Sequence, residues 1–314
     1  MICFVTGAAG FIASHLCRRL LKEGFSVIGT DSFTDFYAKW IKEKNVQPLI
    51  NEKKFEFISG DLNDLDLKKL LKNTDYVFHH AAQAGVRKSW GENFSVYTRN
   101  NIEATQKLLE AAKECQLKKF IYASSSSVYG ACTELPMSEN SPLYPFSPYG
   151  VTKLAAEHLC LLYFKNYGVP STSLRFFTVY GPGQRPDMAF HKFFKNIAEG
   201  KQISVYGDGK QTRDFTYIDD IINANFASIN KGKAGEIYNI GGGNRKKIEE
   251  IFPILEKICQ KKIKIYKEEK QKGDVPHTYA NIKKAQKDLD YTPQVQLQDG
   301  LNEEWKWIQK LYFS

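Results

Sequence analysis

Tyr149 and Lys153 stand four residues apart at the start of a helical pattern that runs to about Tyr167. On a helix, positions i and i+4 share a face, so a phenol and an ammonium would lie together. A nearby cation favours the phenolate and moves tyrosine toward use as a general base. Just upstream, Ser124-Ser125-Ser126-Ser127-Val128-Tyr129-Gly130 follows an apolar run, Lys119–Ala123, that reads as a strand. Serine hydroxyls at the end of that strand would point into the same crevice. Ser125, Tyr149 and Lys153 are therefore the candidate catalytic residues.

A second constellation opens the chain. Thr6-Gly7-Ala8-Ala9-Gly10-Phe11-Ile12-Ala13 lies between an apolar run, Ile2–Thr6, and an amphipathic stretch, Phe11–Glu23. Glycines in such a turn let the backbone approach a pyrophosphate, which then sits on the positive end of the following helix. Gly7, Gly10, Phe11 and Ile12 are candidates for that contact. Ala13 takes the place of a usual third glycine and is small enough for close helix–strand packing. Asp31 follows the second strand. A carboxylate there can accept from both ribose hydroxyls of an adenosine and would repel a 2′-phosphate, which predicts NAD rather than NADP. Asp61-Leu62 and Ala81-Ala82 follow the third and fourth strands, where an open α/β sheet presents its ligand crevice.

The elements that must position these residues alternate. Strands read at Ile2–Thr6, Ser26–Thr30, Phe55–Ser59, Tyr76–His79, Lys119–Ala123, Leu174–Thr178 and Glu236–Ile240. Helices read at Phe11–Glu23, Leu65–Lys72, Val96–Gln116 and Tyr149–Tyr167, with a polar segment before Lys54. This spacing predicts βαβ units and a Rossmann-type doubly wound parallel sheet. Beyond residue 178 lie a loop at Gly181–Pro186, a helix near Phe190–Glu199, a strand at Ser204–Tyr206 and a turn at Gly207-Asp208-Gly209. A helix near Ile248–Cys259, a Lys-rich strand near Lys262–Tyr266 and two short helices complete the pattern. We expect a cofactor domain at residues 1–178, rejoined by about 215–240. A smaller α/β substrate-binding domain is expected from 179–214 and 241–314.

Composition narrows the class. The 314 residues are 42% apolar and 25% charged, an ordinary globular balance that excludes a largely disordered chain. No apolar run approaches the length of a membrane span, and no signal-peptide pattern opens the chain. The six cysteines are scattered without metal-ligand spacing, which predicts reduced thiols, a cytoplasmic protein and no metal site. The net charge of +9 is concentrated between Lys231 and Lys287, with 15 Lys+Arg against 7 Asp+Glu. There it is mixed with acids and lacks arginine–aromatic interleaving, so it reads as a solvated surface rather than a nucleic-acid face.

Taken together, the chain resembles the extended short-chain dehydrogenase/reductases, specifically the nucleotide-sugar epimerases and dehydratases. The resemblance spans nearly the whole chain. It rests on Thr6–Ala13, His79-His80-Ala81-Ala82, Asn100-Asn101, Ser124–Gly130, Tyr149 with Lys153, Arg175–Pro182, Thr212-Arg213-Asp214 and Gly273-Asp274-Val275. It implies that Tyr149 is the base, that Lys153 binds the nicotinamide ribose and that Ser125 binds the sugar 4-hydroxyl. It also implies that Asn100 and Phe177 line the cofactor, Tyr206 lies near a uracil and Arg213 binds the diphosphate. A homodimer built through the helices near Val96–Gln116 and Tyr149–Tyr167 is implied in the same way.

Within the family, the shared first step is oxidation at C4 of the sugar. Dehydratases resemble this chain but carry an Asp-Glu pair where Ser126 and Ser127 stand, so elimination of water is not expected. Asp31–Tyr37, Arg175–Pro182 with Arg185-Pro186-Asp187-Met188, and Gln271-Lys272-Gly273-Asp274 resemble UDP-glucuronate 4-epimerases. That likeness implies a sugar site drawn from Arg87, Ser126, Ser127, Thr178, Arg185, Ala189 and Gln271, in which neutral donors and one arginine could hold a C6 carboxylate. A 4-keto uronate is a β-keto acid, so decarboxylation is the nearest competing outcome. A UDP-glucose or UDP-N-acetylglucosamine 4-epimerase and a keto-sugar reductase remain open.

Overall fold

The computed structural model describes residues 1–313. Its strands are β1 (Ile2–Thr6), β2 (Ser26–Asp31), β3 (Phe55–Ser59), β4 (Tyr76–His79), β5 (Lys119–Ser125), β6 (Ser171–Phe176), β7 (Thr178–Tyr180), β8 (Ile203–Tyr206), β9 (Thr212–Tyr217), β10 (Ile237–Ile240), β11 (Asn244–Lys247) and β12 (Ile265–Glu268). Its α-helices are α1 (Phe11–Lys22), α2 (Lys39–Ile50), α3 (Leu67–Leu71), α4 (Phe94–Tyr97), α5 (Ala104–Ala112), α6 (Pro148–Tyr167), α7 (Ala189–Ala198), α8 (Ile218–Asn230), α9 (Phe252–Cys259), α10 (Lys283–Leu289) and α11 (Leu297–Tyr312).

Seven strands form one parallel sheet in the order β10-β6-β5-β4-β1-β2-β3. Both faces are covered by helices, so the strands are apolar nearly throughout. Val5, Phe78, Ile121, Leu174 and Ile240 are fully buried in one core cluster, and Phe4, Val77, Phe120 and Tyr122 are buried in another. The register pairs Thr6 with His79, His79 with Tyr122, and Ser125 with Phe176. The C-terminal ends of β1, β4, β5 and β6 therefore share one edge of the sheet. The strand order reverses between β1 and β4, and an open α/β sheet forms its ligand crevice at that point.

Two small sheets lie beyond. β7 and β11 flank β9, and β8 pairs in parallel with β12. Local sequence explains the sharp start of α6. The Ser147 hydroxyl accepts from the Gly150 amide at 3.1 Å, and Pro148 takes the first helical position. Gly168 ends the helix with φ of 73°.

Several expected elements are corrected. The polar segment before Lys54 contains α2. Its inward positions include Lys42 and Asn45, which bond to the Thr34 and Ala9 carbonyls, so no apolar stripe marks it. The single helix expected at Val96–Gln116 is α4, a π-helical stretch at Thr98–Glu103, and α5. The strand expected at Leu174–Thr178 breaks at Phe177, whose amide donates to the Ile240 carbonyl at 3.0 Å, so Thr178 begins another sheet. The Lys-rich strand is β12, three residues later than expected. The last of the two short helices is the 16-residue α11, and β9, α8 and β11 fill stretches read without elements.

Candidate active site

Two adjoining cavities open along the C-terminal edge of the sheet. The first, about 1180 Å³ with its open mouth, is lined by Gly7, Gly10, Phe11, Ile12, Asp31, Asp61, Leu62, Ala81, Ala82, Asn100, Tyr149 and Lys153. Every expected cofactor residue but Phe177 lies on this wall. Phe177 borders the second cavity instead, and Phe176 takes the place expected for it. That expectation came from the family resemblance; here β6 ends at Phe176 and Phe177 stands at the break before β7.

The first cavity fits a dinucleotide. Gly7 has φ of +72°, and a Cβ there would meet the Ala81 backbone at 3.0 Å, so only glycine keeps the turn this tight. The N-terminus of α1 has neither a side-chain cap nor an acidic residue in its first turn, which leaves its amides for an anion. Asp31 accepts from the amides of Ala9 (3.2 Å) and Phe33 (2.8 Å), which aim its carboxylate along the cavity rim. Burial raises its pKa, and Lys42 works against that rise. Thr6 clamps the opposite wall, its hydroxyl accepting from the amides of His80 and Ala81. Asn100 is carried by the π-helical stretch, an irregularity often placed at functional sites. The next residue, Asn101, bonds both backbone groups of Gln83 and the Thr152 hydroxyl, joining the cavity wall to α6.

The second cavity, about 1200 Å³ with its mouth, meets the first at Tyr149, Ser124, Phe176 and Arg185. Ser125, Ser126, Ser127, Thr178, Arg185 and Arg213 line it, as do Asp187, Met188 and Asp274. Tyr149 is thus shared by both cavities, as a residue acting between cofactor and substrate must be. Burial raises its pKa, while the Arg185 cation and then the Ser125 hydroxyl lower it. The expected partner cation, Lys153, is itself desolvated, and its pKa is pushed down to about 7. Its ammonium donates to the Ala123 carbonyl at 2.6 Å and lies 4.3 Å from the centre of the Tyr122 ring. The leading electrostatic support for the phenolate therefore comes from Arg185.

Behind the serines, Glu157 accepts from the Ser124 hydroxyl at 2.6 Å and from a two-pronged contact with Arg175, at 3.0 and 2.6 Å. Arg175 also donates to the Tyr129 hydroxyl at 2.8 Å. This buried network fixes the strand ends that carry Ser125 and Phe176.

Next to Asp274, which lines the second cavity, the Arg87 guanidinium stacks 4.1 Å from the centre of the Tyr206 ring and pairs with Asp274 at 2.7 Å. Arg213 donates to the Thr212 and Pro276 carbonyls. Four expected substrate contacts, Arg87, Tyr206, Ala189 and Gln271, do not line the second cavity, although Arg87 meets its wall through Asp274. Ala189 is exposed, and its neighbour Met188 lines the wall. Gln271 lies in an adjoining open groove with Trp90 and Phe94, which shares Phe146, Ser147, Gly273 and Asp274 with the second cavity. Asp187, Asp274 and Phe176 are site residues that type and spacing alone did not mark. Both carboxylates lining the second cavity are ion-paired, Asp187 with Arg185 and Asp274 with Arg87. Among the described residues no helix is long and apolar enough to cross a membrane, and no cluster of three or more His, Cys, Asp or Glu could hold a metal ion.

A doubly wound sheet, a glycine turn at its first crossover and a tyrosine–lysine pair between two cavities define a Rossmann-fold enzyme of the short-chain dehydrogenase/reductase type. The chain belongs to the NAD dependent epimerase/dehydratase family, whose model matches residues 3–241. It is 46% identical over 310 residues to a Bacillus subtilis protein named as an uncharacterized UDP-glucose epimerase, covering 98% of each chain. It is 41% identical over 308 residues to a UDP-glucuronate 4-epimerase of Thermodesulfobacterium geofontis, covering 96% of this chain and 94% of that one. A Bacillus cereus UDP-glucuronic acid 4-epimerase, solved with UDP-glucuronic acid and NAD, is 48% identical with a TM-score of 0.97, covering 99% of this chain and 100% of that one.

Proposed function

We propose that this protein is an NAD-dependent UDP-uronate 4-epimerase that interconverts UDP-glucuronate and UDP-galacturonate through a 4-keto sugar. The observation that carries the reading is the wall of the second cavity, which Ser126, Ser127, Thr178 and Arg185 line together with Tyr149 and Ser125. Three neutral donors and one cation suit a C6 carboxylate.

Bound NAD would supply the hydride acceptor, and then donor, for C4. Gly7, Gly10, Phe11 and Ile12 would hold its pyrophosphate, and Asp31 its adenosine ribose. Asp61, Leu62, Ala81, Ala82, Asn100 and Lys153 would complete the pocket. Tyr149 accepts the 4-hydroxyl proton as the ketone forms and gives it back as the alcohol re-forms. Ser125 holds that oxygen by a hydrogen bond. Arg213 and Tyr206, in the smaller substrate domain taken as residues 179–214 and 241–314, hold the diphosphate and base together with Arg87 of the cofactor domain. Among the described residues the two carboxylates lining the second cavity, Asp187 and Asp274, are both ion-paired, which leaves elimination of water without a free acid there.

The similarity to glucuronate epimerases supports the uronate reading. The purified enzyme supplied with NAD is expected to show a higher kcat/KM for UDP-glucuronate than for UDP-glucose. Equal or faster turnover of UDP-glucose would overturn it. We further infer a cytoplasmic homodimer formed through α5 and α6. Val151, Leu162 and Tyr167 leave apolar surface exposed on α6, and all six cysteines are free thiols. Light scattering would then return twice the chain mass of 35.9 kDa; the single-chain mass would rule the dimer out.

A further inference from the structure

Arg185 enters the second cavity with half of its guanidinium already used. Its Nε donates to Asp187 Oδ1 at 2.9 Å and its Nη2 to Asp187 Oδ2 at 3.0 Å. This parallel pair is the arrangement in which arginine holds a carboxylate most firmly. Asp187 is two residues away, across Pro186, in a segment anchored at both ends. Gln184 donates to the Val179 carbonyl at 3.1 Å and accepts from the His191 amide at 2.9 Å. Both charged side chains are about three-quarters buried, and both line the cavity. The edge left for a ligand is the one at Nη1.

We propose that Asp187 is a specificity- and turnover-setting residue that keeps the best edge of Arg185 occupied, so that the sugar carboxylate is held by one edge only. The proposal rests on the uronate reading above. A 4-epimerase must release its keto sugar enough to present the other face before the hydride returns. A carboxylate clamped in the full fork of an unpaired arginine would resist that turn. Such a clamp would strengthen ground-state binding without lowering the barrier, and binding of that kind does not raise kcat. Asp187 supplies a competing negative charge and takes the side-on edge. The hydroxyls of Ser126, Ser127 and Thr178 share what remains of the hold. Neutral sugars carry no C6 charge and would not feel Asp187.

The test uses holoenzyme with NAD in a Tyr149→Phe background, where substrate binds without turnover. Calorimetry compares UDP-glucuronate, UDP-glucose and UDP, with and without Asp187→Asn. The substitution keeps the volume and removes the charge. UDP-glucuronate is expected to bind about fivefold tighter or more once the competing charge is gone. UDP-glucose and UDP should bind as before. With Tyr149 intact, Asp187→Asn should lower both KM and kcat for UDP-glucuronate.

Unchanged or weaker UDP-glucuronate binding, with UDP binding retained, would overturn the proposal. Loss of UDP binding in both Asp187→Asn and Asp187→Ser would show Asp187 to be a structural strut and would overturn it as well. Arg185→Leu separates this failure from failure of the uronate reading. If the affinity ratio of UDP-glucuronate to UDP-glucose survives Arg185→Leu, the uronate site is misassigned. If the ratio collapses there but ignores Asp187→Asn, the role of Asp187 alone is wrong.

Discussion

The Lys153 ammonium donates to the Ala123 carbonyl across 2.6 Å, tying α6 to β5 two residues before Ser125. A buried cation held by one carbonyl and an aromatic face costs folding stability, and its pKa of about 7 records that cost. The unfolded chain keeps this proton up to roughly pH 10.4, whereas the folded chain loses it near 7. Between those values the unfolded state binds more protons, so Lys153 makes stability rise with pH. Lys153→Met should therefore melt higher than the parent at pH 6, and the gap should close toward pH 10. Activity should fall by ~10²-fold or more. A variant that melts lower at pH 6 would contradict the assignment.

Arg185 gives the leading support to the Tyr149 phenolate, against the opposing charge of Asp187. Replacing Arg185 with methionine leaves burial unopposed except by the Ser125 hydroxyl, so the Tyr149 pKa rises further. The acid limb of kcat/KM should then move to higher pH, and an unmoved limb would remove Arg185 from the electrostatics of the base.

In the proposed function Asp31 sets cofactor choice, through the carboxylate that accepts from the Ala9 and Phe33 amides. Asp31→Ser should weaken NAD binding about tenfold or more and bring NADP binding up to a comparable level, as fluorescence titration would show. Undiminished preference for NAD would place the ribose contact elsewhere.

Arg213 lines the substrate cavity, and the Arg87–Tyr206 stack meets its wall through Asp274. Arg213→Ala should raise KM for the UDP-sugar and weaken inhibition by UDP about tenfold or more while kcat changes little. A large fall in kcat with unchanged UDP inhibition would place Arg213 at the sugar instead.

Glu157 holds Arg175 and Ser124 in the core beneath the serines. Glu157→Leu leaves a buried guanidinium without its counter-charge and should cost about 3 kcal/mol or more in urea unfolding. A cost below about 1 kcal/mol would mean that the Tyr129 hydroxyl and the Glu139 carbonyl suffice for Arg175.

The first βαβ unit and the cofactor loop could be read directly, because Gly7, Gly10 and Asp31 act within their own turn and strand end. Tyr149 and Lys153 were legible for the same reason: Ser147 and Pro148 start a helix where the chemistry requires one. Pairings made by the tertiary fold were not legible. Asp274 meets Arg87 across 187 residues, and nothing local marks either as the other's partner. Asp187 lies beside Arg185 in sequence, but only the geometry shows that its carboxylate takes the arginine's fork. Phe177 was expected on the cofactor wall from resemblance, whereas Phe176, the last residue of β6, lines that wall. Helix α2 escaped because Lys42 and Asn45 face inward and bond to backbone carbonyls there.

The most direct test of the account follows purified protein, NAD and UDP-glucuronate by proton NMR over time. The account predicts that the galacto epimer accumulates to equilibrium with the sugar carboxylate intact. Release of carbon dioxide with a UDP-pentose product, or an unchanged UDP-glucuronate spectrum beside active turnover of UDP-glucose, would contradict it.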